Sequence, residues 1–210
     1  LFEPVEERKL NPMNFEDRFP EIMKRGGFDV IVGNPPYIFT RETIPIRERN
    51  YYSRKYALSW EKQNTFMLFM ERLLQLLSPK GIGSFIVPNS WLTIESGKLL
   101  RQRYLSHMQR VVDLNYPAFR GVSMEPCIFF AQRTETDSPV ELARISTRDE
   151  LTTTPFFHAD RSRLQQHNLI VFHESSSESD LVDRILSKAK PLGELFDVRT
   201  GLQAYEKGKG

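Results

Sequence analysis

The chain has little of what several classes of protein require. Cys127 is its single cysteine, which excludes a disulfide-stapled scaffold and a cysteine-rich zinc site. No apolar run reaches the roughly 18 residues that a membrane-spanning helix needs, and the first residues lack the apolar segment of a signal peptide. The histidines show no metal-ligand spacing, so no metal site is predicted; they are His107, His158, His167 and His173. We therefore expect a globular protein of the cytoplasm.

Neither sign of charge dominates the sequence. Lys and Arg total 29 and Asp and Glu total 27, which leaves a net charge of +2 at pH 7. Any contact with nucleic acid must then come from a local cluster of basic residues rather than from overall charge. Hydrophobic residues make up 40% of the 210 residues, enough to bury a core, and the length suggests one domain and part of another.

The hydrophobic pattern alternates between short apolar runs and amphipathic stretches. It predicts strands over 28–33, 82–87, 110–115 and 127–132, and helices over 66–77 and 93–108. This order indicates an α/β fold with crossover helices on a mainly parallel sheet. The first strand is expected to be a buried parallel strand. The last two strands are expected to form an antiparallel hairpin at the edge of the sheet.

The tetrapeptide Asn34-Pro35-Pro36-Tyr37 directly follows the first predicted strand. In open α/β sheets, ligands bind beyond the carboxyl ends of the strands. The two prolines make the turn stiff and rich in carbonyl acceptors, because proline has no N–H. Asn34 adds a side-chain acceptor, and Tyr37 adds a flat aromatic surface. The same four residues could also be no more than a rigid turn.

These acceptors fit a planar primary amine such as the N6 group of adenine. The Asn34 side chain and the Pro35 carbonyl could accept one hydrogen each and make the nitrogen more pyramidal. The nitrogen could then attack an electrophilic methyl group in line, by positioning and electrostatics rather than by a strong base.

Residues 28–37 resemble motif IV of the amino-methyltransferases that use S-adenosylmethionine. The resemblance is strongest to gamma-type adenine-N6 DNA methyltransferases, which occur in TaqI-like and type IIG restriction–modification proteins. Further stretches resemble motifs V to VIII of the same family, over 64–81, 82–92, 111–119 and 121–130. The resemblance implies a Rossmann-like catalytic sheet, S-adenosylmethionine as cofactor, double-stranded DNA as partner and a target adenine flipped out of the helix.

The resemblance also assigns roles to single residues. Asn34 and Pro35 would bind N6, and Tyr37 would stack on the flipped base. A second aromatic ring from motif VIII would stack on the other face, and counting along the motif favours Phe129 over Phe130. At least one of these two must instead pack in the core, because neighbouring strand residues point to opposite faces. Phe69 corresponds to a residue of the cofactor's adenine pocket; a core position on an amphipathic helix is the alternative.

Basic residues follow the tetrapeptide within a stretch that reads as a long loop with some helix. They could contact DNA phosphates near the flipped base, or they could form a solvated surface; they are Arg41, Arg47, Arg49, Arg54 and Lys55.

The family's motif I, a glycine-rich turn that holds the cofactor, is absent before Gly26. Either the chain is a piece of a longer enzyme, or the motifs are permuted and motif I follows the catalytic region. The order of motifs IV to VIII matches the unpermuted gamma arrangement, so we expect a piece of a longer enzyme, inactive alone. The predicted domains are the motif IV–VIII part of the catalytic domain at 1–134, a connecting α/β segment at 135–190, and the start of a target-recognition domain at 191–210. The connecting segment is predicted to contain strands at 143–146 and 169–172 and a helix at 161–167.

Two other functions remain open from the sequence. A protein glutamine methyltransferase acting on release factors also carries this tetrapeptide after a strand, because a glutamine amide presents the same NH₂ group. A DNA-recognition module that has lost catalysis is the non-enzymatic alternative. The sequence shows no nuclease pattern, so a partner or fused nuclease would lie outside this chain.

Overall fold

The structure is a computed structural model that describes residues 13–38, 44–57, 64–116, 118–119, 124–173, 176–190 and 192–197. Two sequence-based predictions lie outside these residues. They are the phosphate contact assigned to Arg41 and residues 198–210 of the expected start of the recognition domain.

Six strands form one mixed sheet in the order β1-β2-β4-β3-β5-β6. The strands are β1 (Phe28–Gly33), β2 (Leu77–Pro88), β3 (Met108–Leu114), β4 (Pro126–Gln132), β5 (Val140–Ile145) and β6 (Phe157–Ala159). β1 pairs parallel with β2, and β3 pairs parallel with β5. β4 runs antiparallel between β2 and β3, so β1, β2, β3 and β5 all point the same way. The predicted α/β fold class is confirmed.

The helices mostly occupy the connections between strands. They are α1 (Phe15–Arg18), α2 (Pro20–Lys24), α3 (Ile46–Lys55), α4 (Thr65–Leu76), α5 (Lys98–Leu105), α6 (Arg161–His167), α7 (Ser176–Lys188) and α8 (Leu192–Leu195). Short 3₁₀ helices lie at Asn89–Leu92, Glu95–Gly97 and Arg148–Thr152. No helix among the described residues is both long enough and apolar enough to cross a bilayer.

Helix α4 begins and packs as its sequence predicts. The Asn64 side chain caps it by accepting from the Phe66 N–H at 3.4 Å. Most of its apolar side chains are buried in the core, Phe66 and Met70 almost fully, but Phe69 is exposed. α5 packs on the same core through Tyr104, whose ring meets Phe129 of β4 edge-on at 5.4 Å between centroids. These contacts form the main hydrophobic core on one face of the sheet.

The sheet is wider than the sequence predicted. The hairpin of β3 and β4 is antiparallel, as expected, but it lies inside the sheet because β5 joins the far side of β3. The predicted edge position was therefore wrong. Residues 169–172 form no strand, and the helix predicted over 93–108 covers only Lys98–Leu105, after a 3₁₀ turn.

Strand β1 has the predicted bounds and direction but is not buried. Among the described residues it pairs with β2 alone and forms one edge of the sheet, so Val30 and Val32 are 66% and 77% exposed. Its start is fixed by Gly27, which has a φ of +122°. A Cβ atom there would lie 2.3 Å from the Leu76 carbonyl oxygen, so only glycine fits where α4 meets the start of β1.

The chain divides into two compact units, Leu1–Phe172 and His173–Gly210. The first unit extends well beyond the boundary expected near residue 134, because β5 continues the hydrogen-bonded ladder from β3. In the second unit, the described residues form α7 and α8.

Candidate active site

The carboxyl ends of four strands meet at one edge of the sheet. β1, β2, β3 and β5 run in the same direction, so the segments that follow them lie along this edge. The tetrapeptide Asn34–Tyr37 directly follows β1, where the topology of an α/β sheet places ligands. The structure thus puts the predicted motif at the functional edge of the fold.

The tetrapeptide presents its polar side chain to solvent. Asn34 is exposed, whereas Pro35 is buried beneath it and Pro36 is exposed again. The Tyr37 ring is half-buried and packs edge-on against Phe66, with 6.2 Å between centroids. An exposed Asn34 amide on a buried proline is the arrangement that the amine-binding hypothesis requires.

The Tyr37 hydroxyl is held at two points. Its oxygen lies 2.6 Å from Asn34 Oδ1 and 2.8 Å from the carbonyl oxygen of Ile86 in β2. Burial raises the pKa of Tyr37 to about 12, so the hydroxyl keeps its proton at neutral pH.

Thr65, at the start of α4, fixes the far end of the tetrapeptide. Its hydroxyl donates to the Pro36 carbonyl oxygen at 2.5 Å, and its oxygen accepts from the Ile38 N–H at 3.0 Å. No role for Thr65 was predicted from the sequence, although it lies in the stretch that resembles motif V. Its signal was the threonine that directly follows a helix-capping asparagine.

A cavity of about 690 Å³ adjoins the tetrapeptide, since Thr65 lines it as well. Its walls are mainly aromatic and aliphatic, and include Phe28, Val32, Tyr52 and Phe69. Phe69 is 47% exposed and faces this space. The core position considered as an alternative for Phe69 is therefore not what the structure shows.

The two phenylalanines predicted to stack on the base lie elsewhere. Phe129 is 0% exposed and sits in the core against Trp91 and Tyr104. Phe130 points to the opposite face, where the Arg110 guanidinium lies 5.9 Å from its ring centroid. Phe129 is therefore a core residue, the alternative that the sequence analysis left open, whereas Phe130 lies half-buried on the other face of β4.

Phe119 is an aromatic residue that the sequence analysis passed over. It follows β3, which ends at Leu114 on the functional edge, and its side chain is 36% exposed. It ends the stretch that resembles motif VII, and an aromatic residue just beyond a strand's carboxyl end was the available signal.

The predicted phosphate contacts within the described residues lie on or at the end of helix α3, rather than in a loop. Arg47, Arg54 and Lys55 are exposed, while Arg49 is half-buried. Arg47 and Arg54 are seven residues apart, which is two helical turns, so they share one face. This gives the helix a basic surface.

A second polar cluster lies at the carboxyl ends of β3 and β5. The buried Asp113 carboxylate accepts from Asn89 Nδ2 at 3.0 Å and from Arg144 Nε at 2.9 Å. These bonds join the loop after β2 to the neighbouring strands. Among the described residues, no group of three or more acidic, histidine or cysteine side chains could hold a metal ion.

Comparison with known proteins identifies a family. Residues 3–119 match the model of a family described as Eco57I restriction-modification methylase. The type II restriction enzyme and methyltransferase RM.Eco57I of Escherichia coli is 30% identical over 117 residues, which cover 53% of this chain and 12% of that protein. The type II methyltransferase M.TthHB8I of Thermus thermophilus is 38% identical over 186 residues, covering 85% of this chain and 41% of that protein. The chain therefore spans less than half the length of either relative.

Solved structures share the fold at low sequence identity. The type IIL restriction-modification enzyme MmeI, solved in complex with DNA, matches 70% of this chain and 20% of its own, with a TM-score of 0.54 and 14% identity. The type IIG restriction endonuclease BpuSI matches 76% of this chain and 22% of its own, with a TM-score of 0.53 and 17% identity.

Proposed function

The chain belongs to the Eco57I restriction-modification methylase family, and from this membership we propose that the intact protein methylates adenine N6 in a specific sequence of double-stranded DNA. The methyl donor is S-adenosylmethionine, and the enzyme serves a restriction–modification or related defence system in the cytoplasm. The observation that carries this proposal is the exposed Asn34 amide on its rigid proline turn, at the carboxyl edge of the sheet and beside an apolar cavity.

Asn34 and Pro35 bind the reacting amine. The Asn34 side-chain oxygen and the Pro35 carbonyl each accept one N6 hydrogen, which draws the nitrogen lone pair out of the ring. The nitrogen forms its bond to the methyl carbon while the carbon–sulfur bond breaks, and one N6 proton leaves to solvent. The two carbonyl dipoles stabilise the positive charge that develops on N6, and Pro36 keeps the turn stiff.

The flipped base is held between two aromatic rings. Tyr37 stacks on one face, and we assign the other face to Phe119 in place of Phe129 and Phe130, because Phe119 is exposed and follows a strand at the same edge. Stacking is worth about 1–3 kcal/mol per base. Two rings therefore offset much of the cost of extruding the base, which is on the order of a few kcal/mol.

The apolar cavity fits the adenine ring of S-adenosylmethionine, which would supply an electrophilic methyl group when bound. A volume of about 690 Å³ lies within the range of small-molecule sites. Phe69 offers an exposed aromatic side chain there, on the helix that Thr65 ties to the tetrapeptide. This chain's contribution is to hold the apolar end of the donor close to Asn34.

The basic surface of α3 contacts the DNA backbone. Arg47, Arg54 and Lys55 lie on the helix that follows the tetrapeptide, and exposed guanidinium and ammonium groups bind phosphates without reading sequence. We include Arg49 as a weaker contact because it is half-buried.

The restriction–modification relatives support DNA over a protein glutamine as the substrate. The intact and exposed tetrapeptide supports catalysis over a DNA-recognition module that has lost it.

The test is Asn34→Ala in the intact protein. We expect the methylation rate to fall by about 100-fold or more, as for other lost transition-state hydrogen bonds, with DNA affinity largely kept. Transfer of a labelled methyl group to DNA measures the rate. Asn115→Ala, which changes another exposed asparagine beyond a strand of the same edge, is the control and should keep activity. Normal methylation by Asn34→Ala would refute this mechanism.

A further inference from the structure

We propose that the Tyr37 hydroxyl is a positioning group that turns the Asn34 amide so that its oxygen faces the substrate amine. This inference rests on the proposed function and gives Tyr37 a second task besides stacking. The proposal follows from the number of hydrogen-bond donors and acceptors around the Tyr37 hydroxyl.

The hydroxyl has one hydrogen and two oxygen neighbours. It lies 2.8 Å from the Ile86 carbonyl oxygen and 2.6 Å from the atom placed as Asn34 Oδ1, which exchanges with Nδ2 when the planar amide group is turned over. A carbonyl oxygen can only accept, whereas an amide side chain can accept through its oxygen or donate through its nitrogen. If Tyr37 donates to Ile86, Asn34 must present its NH₂ group to the hydroxyl, because two oxygens at this distance need a hydrogen between them.

The sheet shows why the hydrogen goes to Ile86. In a parallel ladder, a carbonyl accepts from the N–H one residue beyond its partner on the next strand. Gly33 pairs with Phe85, so the N–H that would serve the Ile86 carbonyl belongs to residue 35. That residue is Pro35, which has no N–H. The Tyr37 hydroxyl supplies the missing donor, and leaving that carbonyl unpaired would be costly.

The amide orientation follows from this. Asn34 Nδ2 donates to the Tyr37 hydroxyl oxygen, and Oδ1, on the opposite side of the same planar group, points out from the edge of the sheet. Without the hydroxyl, the exposed Asn34 side chain could rotate and present NH₂ to the substrate amine, where donor would meet donor. The tetrapeptide is therefore one unit: Pro35 removes a ladder donor, Tyr37 replaces it, and Asn34 is turned as a result.

The hydroxyl also remains a donor across the working range of pH. Burial raises the pKa of Tyr37 to about 12, so it is not converted to an acceptor-only phenolate near neutrality.

Tyr37→Phe in the intact protein tests the proposal, because it keeps the ring and removes only the hydroxyl. We expect the single-turnover rate of methyl transfer to fall by about tenfold, the value of one lost orienting hydrogen bond. The DNA dissociation constant and the fluorescence of a 2-aminopurine target base, which reports flipping, should stay unchanged. An unchanged rate, or equal losses in rate and in DNA binding, would overturn the proposal.

A double-mutant cycle separates this idea from the proposed function. Since Tyr37 acts through Asn34, Tyr37→Phe should add almost nothing once Asn34→Ala is present. Multiplying effects would show that the hydroxyl acts on its own. If Asn34→Ala alone left methylation intact, the proposed function would fail instead, and the hydrogen-bond arrangement would have to be judged by diffraction.

Neutron diffraction from the unaltered protein locates the hydrogens of this arrangement directly, without any variant. We expect the Tyr37 deuteron to point at the Ile86 carbonyl and an Asn34 Nδ2 deuteron to point at the Tyr37 oxygen. A Tyr37 deuteron directed at Asn34 Oδ1 would overturn the inference.

Discussion

Phe129 and Phe130 are neighbours in sequence but lie on opposite faces of β4. The pattern Cys127-Ile128-Phe129-Phe130 is apolar at every position, so it does not reveal which residues point to the main core. The structure answers this, because Phe129 packs between Trp91 and Tyr104 and Phe130 packs beside Arg110. Phe129 is thus a core residue, and Phe130 is half-buried on the opposite face.

Substituting each ring should show how differently the two contribute to stability. We expect Phe129→Ala to lower the free energy of unfolding by about 3–5 kcal/mol, because it leaves a cavity in a packed core. Phe130→Ala, the matched control, should lower it by clearly less, since that ring is only half-buried. Urea unfolding measures both. If Phe130→Ala proved the costlier change, our assignment of the two faces would be incorrect.

At the scale of the element, helix α3 brings basic side chains together on one face, where DNA is proposed to bind. From the sequence, the basic residues were predicted to contact phosphates from a long loop with some helix. The stretch has no regular apolar pattern, so it shows no helical period. As a helix, the same residues bring Arg47 and Arg54 onto one face.

Arg54→Gln should therefore weaken DNA binding through lost counterion release. We expect the slope of log affinity against log salt to become shallower by about 0.9, and the loss to be similar for specific and unrelated DNA sequences. Fluorescence anisotropy over a salt series measures the slope. Lys24→Gln removes an exposed charge from α2 and should leave the slope unchanged. A loss confined to the recognition sequence would mean that Arg54 reads a base.

Helices and strands could be predicted from the sequence where the pattern that indicates them is local. The 3.6-residue apolar period located α4 to within a residue, and the glycines around 28–33 located β1. The burial of β1 could not be predicted from the sequence, since it depends on whether a neighbouring strand lies on each side of it. The same limit applies to the site: the tetrapeptide was found from sequence, but the contact of Tyr37 with Ile86 joins residues 49 positions apart.

At the scale of the whole molecule, the difference between sequence and structure concerns the domain boundary. The change of pattern after Thr134 suggested that the catalytic domain ends there. In the structure the sheet continues through β5, within the segment predicted to connect the two domains, because pairing between β3 and β5 is a long-range property that periodicity does not encode. The domain bounds themselves stay a prediction. The first compact unit ends at Phe172.

The segment between β4 and β5 is hydrogen-bonded to the elements that precede it within the first compact unit. Arg133 donates to the Leu74 carbonyl at 2.5 Å, and Thr134 donates to the Pro79 carbonyl at 2.5 Å. The Thr136 N–H donates to the Ser106 carbonyl at 2.9 Å. A connection held by such bonds opens rarely, and proteases cut where the backbone can open.

Limited proteolysis of the intact protein can therefore distinguish the two boundaries. We expect a protease of broad specificity to make its earliest cut within this chain between Phe172 and Ser176, where the two compact units join, and to spare residues 133–139 until later. Mass spectrometry of the early fragments locates the cut. Arg133→Ala removes the bonds to α4 and to Leu77 and should make residues 133–139 more sensitive without moving the first site. A first cut near residue 134 in the unaltered protein would restore the boundary that the sequence pattern suggested.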